Sequence, residues 1–116
     1  MPAQYITLVG SAARTANGNG DTIDLTKLAA TNGHVPQLRV QSDVTAIIGT
    51  PTLTIIIEDS VDGTNWNTVD TFTAQTAVNR AVRNITTLFN PQRMRARWTI
   101  TGGTPSATFS VKAVLL

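Results

Sequence analysis

The stretch Thr52–Phe72, TLTIIIEDSVDGTNWNTVDTF, decides the fold, because its pattern predicts a strand, a tight turn and a second strand. Its first half alternates Leu53, Ile55 and Ile57 with Thr54, Ile56 and Glu58. A period of two places alternate side chains on opposite faces of a sheet. Asp62-Gly63 is a strong hairpin signal, because glycine adopts a positive φ without steric cost. A hairpin cannot bury its apolar face alone, so a second sheet must cover it.

The same alternation recurs in three other segments of the chain. In Arg93–Thr101, Met94, Ala96, Trp98 and Ile100 share one face, and Arg93, Arg95, Arg97 and Thr99 share the other. In Gln37–Val44, Leu38, Val40 and Val44 oppose Arg39, Gln41 and Asp43. Near the end, Ala107, Phe109, Val111, Ala113 and Leu115 oppose Thr108, Ser110, Lys112 and Val114. Each of these segments therefore predicts a strand with one apolar face.

Shorter β-branched runs and turn residues complete the predicted architecture. Tyr5–Val9 and Thr22–Leu25 are expected to be strands, and Asn17–Asp21 a turn. One helical turn is expected at Thr26–Thr31. About eight strands separated by turns predict an all-β, antiparallel β-sandwich of jelly-roll type, formed as a single domain by residues 1–116. The final strand ends in Val114-Leu115-Leu116, either docked within a sheet or offered as an edge to a partner.

Composition narrows the classes of function. The 116 residues suffice for one hydrophobic core. Charged residues make up 14% of the chain, and a net charge of +2 is too small to indicate nucleic acid or membrane binding. There is no cysteine, and no segment approaches the ~18 apolar residues that span a bilayer. The N-terminus lacks the pattern of a signal peptide, so we expect assembly in a cytoplasm.

No residue pattern predicts catalysis, a metal or a cofactor. The single histidine, His34, lies in a predicted loop without a nucleophile elbow motif. Asp59, Asp62 and Asn65 resemble part of a calcium loop, but the same residues form tight turns, and the bidentate glutamate is missing. Glu58 and Asp59 are neighbours on a strand and face opposite ways, which argues against a glycosidase pair. We therefore expect a protein that binds and is not an enzyme.

The arginine stripe Arg93, Arg95 and Arg97 is the candidate docking site, and three interpretations of it stay open. It could be a salt-bridged strand face, a surface for docking an acidic protein, or a phosphate site. Nucleic acid is disfavoured, because nucleic-acid readers interleave aromatic residues with such charges and Trp98 lies on the opposite face. Ile56 is a second, weaker docking candidate.

The two tryptophans have different expected roles. Trp98 shares its face with apolar residues and is expected in the core. For Trp66 the core is favoured, with a sugar-stacking platform as the alternative. Ile56 is expected on the outer side of its strand, where with Val114 it would mark a subunit contact.

Three segments of the chain carry a resemblance to a known family. Glu58–Val69 is similar to an S-x-DG-x-x-W hairpin that is common in the small β-sandwich structural proteins of tailed bacteriophage virions. Ser11–Asp21 resembles their opening stretch with its Gly-Asn-Gly turn. Arg93–Val111 resembles their arginine-rich strand with a tryptophan, followed by a Gly/Pro/Ser turn and a Phe-Ser-Val strand. The hairpin also occurs in discoidin-type and carbohydrate-binding sandwiches.

The resemblance implies a virion component, most like a capsid decoration (cement) protein. Such a protein binds the lattice of the major capsid protein on the capsid surface, often as a homotrimer, and has no catalytic residue. A tail or baseplate protein and a carbohydrate-binding module for host recognition are the alternatives. No membrane partner is implied.

Overall fold

A computed structural model describes residues 4–24, 38–85, 93–102 and 105–115 of the chain. Within these ranges the chain forms nine strands: β1 (Gln4–Arg14), β2 (Gly18–Asn19), β3 (Ile23–Asp24), β4 (Leu38–Ile48), β5 (Thr52–Ser60), β6 (Asn67–Thr71), β7 (Asn79–Ile85), β8 (Arg93–Thr101) and β9 (Ser106–Leu115). The expected helical turn at 26–31 and His34 lie outside the described residues. The described part holds no helix with the length and apolar character needed to cross a bilayer.

The nine strands form two antiparallel sheets. Their strand orders are β1-β9-β4-β7 and β2-β8-β5-β6, and β3 also pairs with β8. The pairs are nested along the chain: β1 with β9, β2 and β3 with β8, β4 with β7, and β5 with β6. This nested hairpin is rolled up so that β9 adjoins β4 and β8 adjoins β5, which is the arrangement of a double-sheet jelly roll. The predicted antiparallel sandwich is confirmed.

The core lies between the two sheets and is built from the faces that alternation predicts. The four-stranded sheet contributes Ile6, Leu8, Leu38, Val40, Val44, Phe109 and Val111, and the five-stranded sheet contributes Leu53, Ile55, Ile57, Met94, Ala96, Trp98 and Ile100. The rings of Trp98 and Phe109 meet edge to face with centroids 5.5 Å apart. Because β8 and β9 belong to different sheets, this aromatic pair joins the two layers.

The last strand is docked within a sheet. β9 lies between β1 and β4 and pairs with both along most of its length. Its residues Ala107, Phe109, Val111 and Ala113 are buried. Of the two interpretations of the C-terminal strand, the docked one is therefore correct.

The predicted turn at Asn17–Asp21 contains a short strand instead. Gly18 and Asn19 pair with Trp98 and Arg97 of β8. Neither Gly18 nor Gly20 has the positive φ for which turns commonly use glycine. A Cβ on Gly18 would lie 2.5 Å from Cζ2 of Trp98, so glycine is needed for close approach to the indole ring. The pairing of this segment with β8 adds a strand, β2, that the sequence did not predict.

Each edge of the sandwich has a feature that limits pairing with another chain. β2 and β3 are two residues long, and the pairings of β1 and β6 with their neighbours contain register shifts. On β7, Arg83 lies opposite the buried Val40, and its Nε lies 2.7 Å from Asp70 Oδ2 on β6, in the other sheet. Short strands, bulges and inward-facing charges all discourage edge-to-edge association. Contacts with partners are therefore expected to use the sheet faces.

We predict that Gly18→Ala lowers the free energy of unfolding by about 1–3 kcal/mol, because the added methyl group overpacks against the buried Trp98. Gly10→Ala is the matched control, since no atom lies within 4 Å of the position that a Cβ would occupy there. We expect a change of about 0.5 kcal/mol or less at that position. Urea denaturation followed by tryptophan fluorescence measures both, and equal effects of the two substitutions would contradict the close-approach explanation.

Candidate docking surface

The outer face of the five-stranded sheet carries the arginine stripe. Because Met94, Ala96 and Trp98 point into the core, the alternate residues Arg93, Arg95 and Arg97 point outward. The register with β5 places them opposite Ser60, Glu58 and Ile56, in that order. We call the surface formed by Arg93, Arg95, Arg97, Glu58, Ile56 and Trp66 the arginine face.

Glu58 binds two of the three arginines. Arg95 Nε donates to Glu58 Oε1 at 2.9 Å, and Arg97 Nε donates to Glu58 Oε2 at 3.3 Å. Glu58 is only 6% exposed, although it lies on the outer side of its strand. One carboxylate thus holds two guanidinium groups in fixed positions. These contacts match the salt-bridged interpretation of the stripe, and docking stays a prediction.

Trp66 lies on the arginine face and not in the core. The guanidinium carbon of Arg95 lies 4.0 Å from the centroid of the Trp66 ring, a cation–π contact. Trp66 is half-buried and is not part of the core cluster. The favoured expectation of a core Trp66 is therefore wrong. The residue immediately precedes β6, outside the alternating part of the hairpin, so its side chain packs on Arg95 instead.

Ile56 is buried, which corrects its expected role as an exposed contact. It is 7% exposed, and it lies between Arg97 of β8 and Thr71 of β6 on the outer face. The long aliphatic part of an arginine side chain commonly covers such a neighbour. Val114 pairs with Arg39 in the other sheet, so Ile56 and Val114 lie on opposite exteriors of the sandwich. The two residues therefore form no joint patch within one chain, and a subunit contact stays a prediction.

Arg93 ties the stripe to the hairpin turn. Its Nη1 donates to the backbone oxygen of Val61 at 2.6 Å. Across the β3–β8 pair it faces Asp24. Arg97, in contrast, has uncharged cross-strand neighbours, Asn19 and Ile56. At this end of the face Arg95 and Arg97 therefore share a single carboxylate, that of Glu58, and the cross-strand neighbours of Arg97 add no second one.

The hairpin turn uses Asp62 as an internal acceptor. Oδ1 of Asp62 accepts hydrogen bonds from the backbone N–H groups of Thr64 and Asn65, each at 2.8 Å, and Oδ2 accepts from the Asn65 amide. Gly63 has φ 79°, as the hairpin signal predicts. The hydrogen bond from the backbone N–H of Asn65 has the largest effect on the pKa of Asp62, and that from Thr64 the next largest. Together they hold this pKa well below its usual range.

The Asp59, Asp62 and Asn65 set is not gathered into one site. Asp59 is buried opposite Met94 on the inner side of β5, whereas Asp62 lies in the exposed turn. The turn interpretation describes the contacts of Asp62 and Asn65. In the ranges that the structure describes, no three His, Cys, Asp or Glu residues form a group that could hold a metal ion.

The sequence pattern predicts the stripe but not the residues that organise it. Glu58 and Trp66 lie 37 and 29 positions before Arg95, and only the pairing of β5 with β8 brings them together. Glu58 did share the outward face of its strand in the alternation, which is the one available signal. No family model matches the chain, and comparisons with curated proteins and with solved structures find no match either. A functional proposal therefore depends on the residues and their geometry.

We predict that Glu58→Gln lowers the free energy of unfolding by about 1.5–3 kcal/mol, because it removes charge-assisted bonds to two partly buried arginines. The control is Asp43→Asn, which weakens the exposed Asp43–Arg80 pair at 3.6 Å. Its expected cost is less than about 0.5 kcal/mol. Urea denaturation compares the two variants. Similar small losses in both would show that Glu58 is only a surface partner.

We predict that the stabilising effect of the Asp62 carboxylate is lost in acid. Because the folded state holds the pKa of Asp62 low, the effect is complete at neutral pH and declines as the pH falls below about 4, where the unfolded chain takes up the proton first. The measurement is the difference in unfolding free energy between wild type and Asp62→Ala at pH 7, 5 and 3. Asp62→Asn, which keeps an acceptor oxygen, should differ from Asp62→Ala by an amount independent of pH. A wild-type advantage unchanged at pH 3 would contradict this.

Proposed function

We propose that the chain is a structural protein of a tailed bacteriophage virion, a capsid decoration protein that binds the lattice of the major capsid protein and stabilises the head. One observation carries the proposal. Two of the segments that carry the resemblance, the hairpin Glu58–Val69 and the arginine-rich strand that opens Arg93–Val111, contact each other on the arginine face. Glu58 and Trp66 of the first segment hold Arg95 of the second. The hairpin and the arginine-rich strand of the resemblance thus lie side by side on one surface, whereas residues 106–111 belong to β9 in the other sheet.

The proposed mechanism is mechanical. Each copy adds a modest interface across a seam between capsid subunits, and many copies together resist the internal pressure of the packaged DNA. A sandwich whose layers are joined by the Trp98–Phe109 pair suits this task, because a close-packed core resists deformation. The blunted edges favour attachment through a sheet face. Homotrimers on the capsid surface, assembled in the host cytoplasm, are part of this proposal.

Two alternative functions are supported by some of the same observations. A tail or baseplate protein would use the same fold and the same face. A carbohydrate-binding module is favoured by one specific observation, the half-buried Trp66 on a polar outer surface. Arg95 already occupies one side of that indole ring, so a sugar would have to stack on the other side. The decoration role accounts for the arginine stripe as well as for Trp66, and we prefer it for that reason.

The test uses the phage particle that carries this chain. We expect heads depleted of the protein to release DNA at a temperature several degrees lower than complete heads, and purified protein added back should restore the original temperature. Dye-accessible DNA during a heating ramp is the readout. Unchanged DNA release after depletion would overturn the decoration role. Quantitative mass spectrometry of intact particles separates the alternatives, because decoration requires hundreds of copies and a tail component far fewer.

A further inference from the structure

We propose that Arg97, together with the outer N–H groups of Arg95, binds a carboxylate side chain of a partner protein and forms the anchoring point of the arginine face. The inference deepens the proposed function, on which it rests for the identity of the partner. It names the chemistry of the contact: an aspartate or glutamate on a protein surface. It also separates the roles of the residues: Arg97 and the outer donors of Arg95 contact the partner, and Glu58 holds both arginines in position.

Arg95 and Arg97 keep N–H donors that Glu58 does not use. Among the contacts of the described residues, Glu58 receives only the Nε–H of Arg95 and the Nε–H of Arg97. A guanidinium group carries five N–H donors in a planar fork, so both arginines keep terminal donors for a second carboxylate. The Arg97 side chain is 37% exposed and that of Arg95 is 19% exposed. A partner group can therefore reach Arg97 from solvent without displacing Glu58.

The net charge of the Glu58, Arg95 and Arg97 cluster also favours an anionic partner group. Two guanidinium groups share one carboxylate, which leaves one positive charge at this position. The cross-strand neighbours of Arg97 are uncharged, and Asp24 faces Arg93 at the far end of the stripe. A single anionic side chain complements this arrangement. Since Glu58 and Trp66 already hold Arg95 in place, less side-chain entropy is lost when a second anion binds.

The same observations favour a protein carboxylate over nucleic acid. Nucleic acid binding requires several cations along a backbone and open aromatic faces for the bases. Here Arg93 is bound to the Val61 carbonyl oxygen, and the described aromatic residue of this face, Trp66, is covered on one side by Arg95. The surface next to Arg97 continues with Thr54 and Thr99, which are uncharged. One compensating anion fits this surface better than a row of phosphates.

The experiment uses the full chain and fluorescence anisotropy with three labelled probes. The first probe is a peptide with four glutamates separated by serine and glycine residues, the second is the same peptide with glutamine at those positions, and the third is a twenty-nucleotide oligo-dT. The variants are Arg97→Gln and Arg97→Lys. Arg80→Gln is the matched control, because Arg80 also projects from a strand beside a carboxylate but lies in the other sheet. Thermal unfolding of each variant confirms that it folds.

We expect Arg97→Gln to weaken binding of the glutamate peptide by about five- to tenfold, the loss of one charge-assisted contact. Arg97→Lys should weaken it by about two- to threefold, because charge is kept but the planar fork is lost. Arg80→Gln should change it by less than about 1.5-fold, since only the general charge is altered. The glutamine peptide should not bind measurably.

Three results would overturn the site. Equal losses in Arg97→Gln and Arg80→Gln would show that only net charge matters. Equal binding of the glutamine and glutamate peptides would exclude a carboxylate. Arg97-dependent binding of oligo-dT without binding of the glutamate peptide would assign the face to nucleic acid. If the glutamate peptide binds through Arg97 while depleted heads keep their heat resistance, the carboxylate site stands and the decoration role fails.

Discussion

The register between β5 and β8 places Ile57 beside Ala96 on the inner face and Glu58 beside Arg95 on the outer face. Because side chains alternate with a period of two, a shift of this pairing by one residue would either expose Ile55 and Ile57 or turn the arginines toward the core. The core and the arginine face therefore depend on the same set of backbone hydrogen bonds. Any partner that binds the outer face binds a surface whose positions are set by packing on the inner face.

Alternation predicted which face each residue of the main strands occupies, but not what lies beside it. For the side chains that the structure describes, the inward sets of β4, β8 and β9 were correct, because the alternation lies within each strand's own sequence. Ile56 was correctly placed on the outer side, yet its burial depends on neighbours from β6 and β8, which lie far away in sequence. The same limit applies to Trp66, whose contact with Arg95 exists only once β5 and β8 pair.

The glycine positions also show that local sequence predicts backbone conformation better than it predicts contacts between distant residues. Gly63 was predicted from a local signal, Asp62-Gly63, and its positive φ follows from the turn itself. Gly18 looked equally local, but its requirement comes from the Trp98 ring 80 positions later in the chain. Backbone conformation can be read from short motifs, whereas close approach between strands depends on the completed sheet. The short strand β2 was missed for this reason.

The charge cluster around Glu58 is difficult to explain by stability alone. Burying a carboxylate costs desolvation free energy, and well-packed apolar residues of similar volume often stabilise a protein as much as a buried ion pair does. An apolar substitute would also enlarge the exposed apolar surface, and such surfaces promote association without selectivity. The cluster fixes the orientation of two planar donor groups, the guanidinium groups of Arg95 and Arg97, on an otherwise threonine-lined face. Fixed donors discriminate between partners by geometry as well as by charge, and this is the property that a docking surface needs.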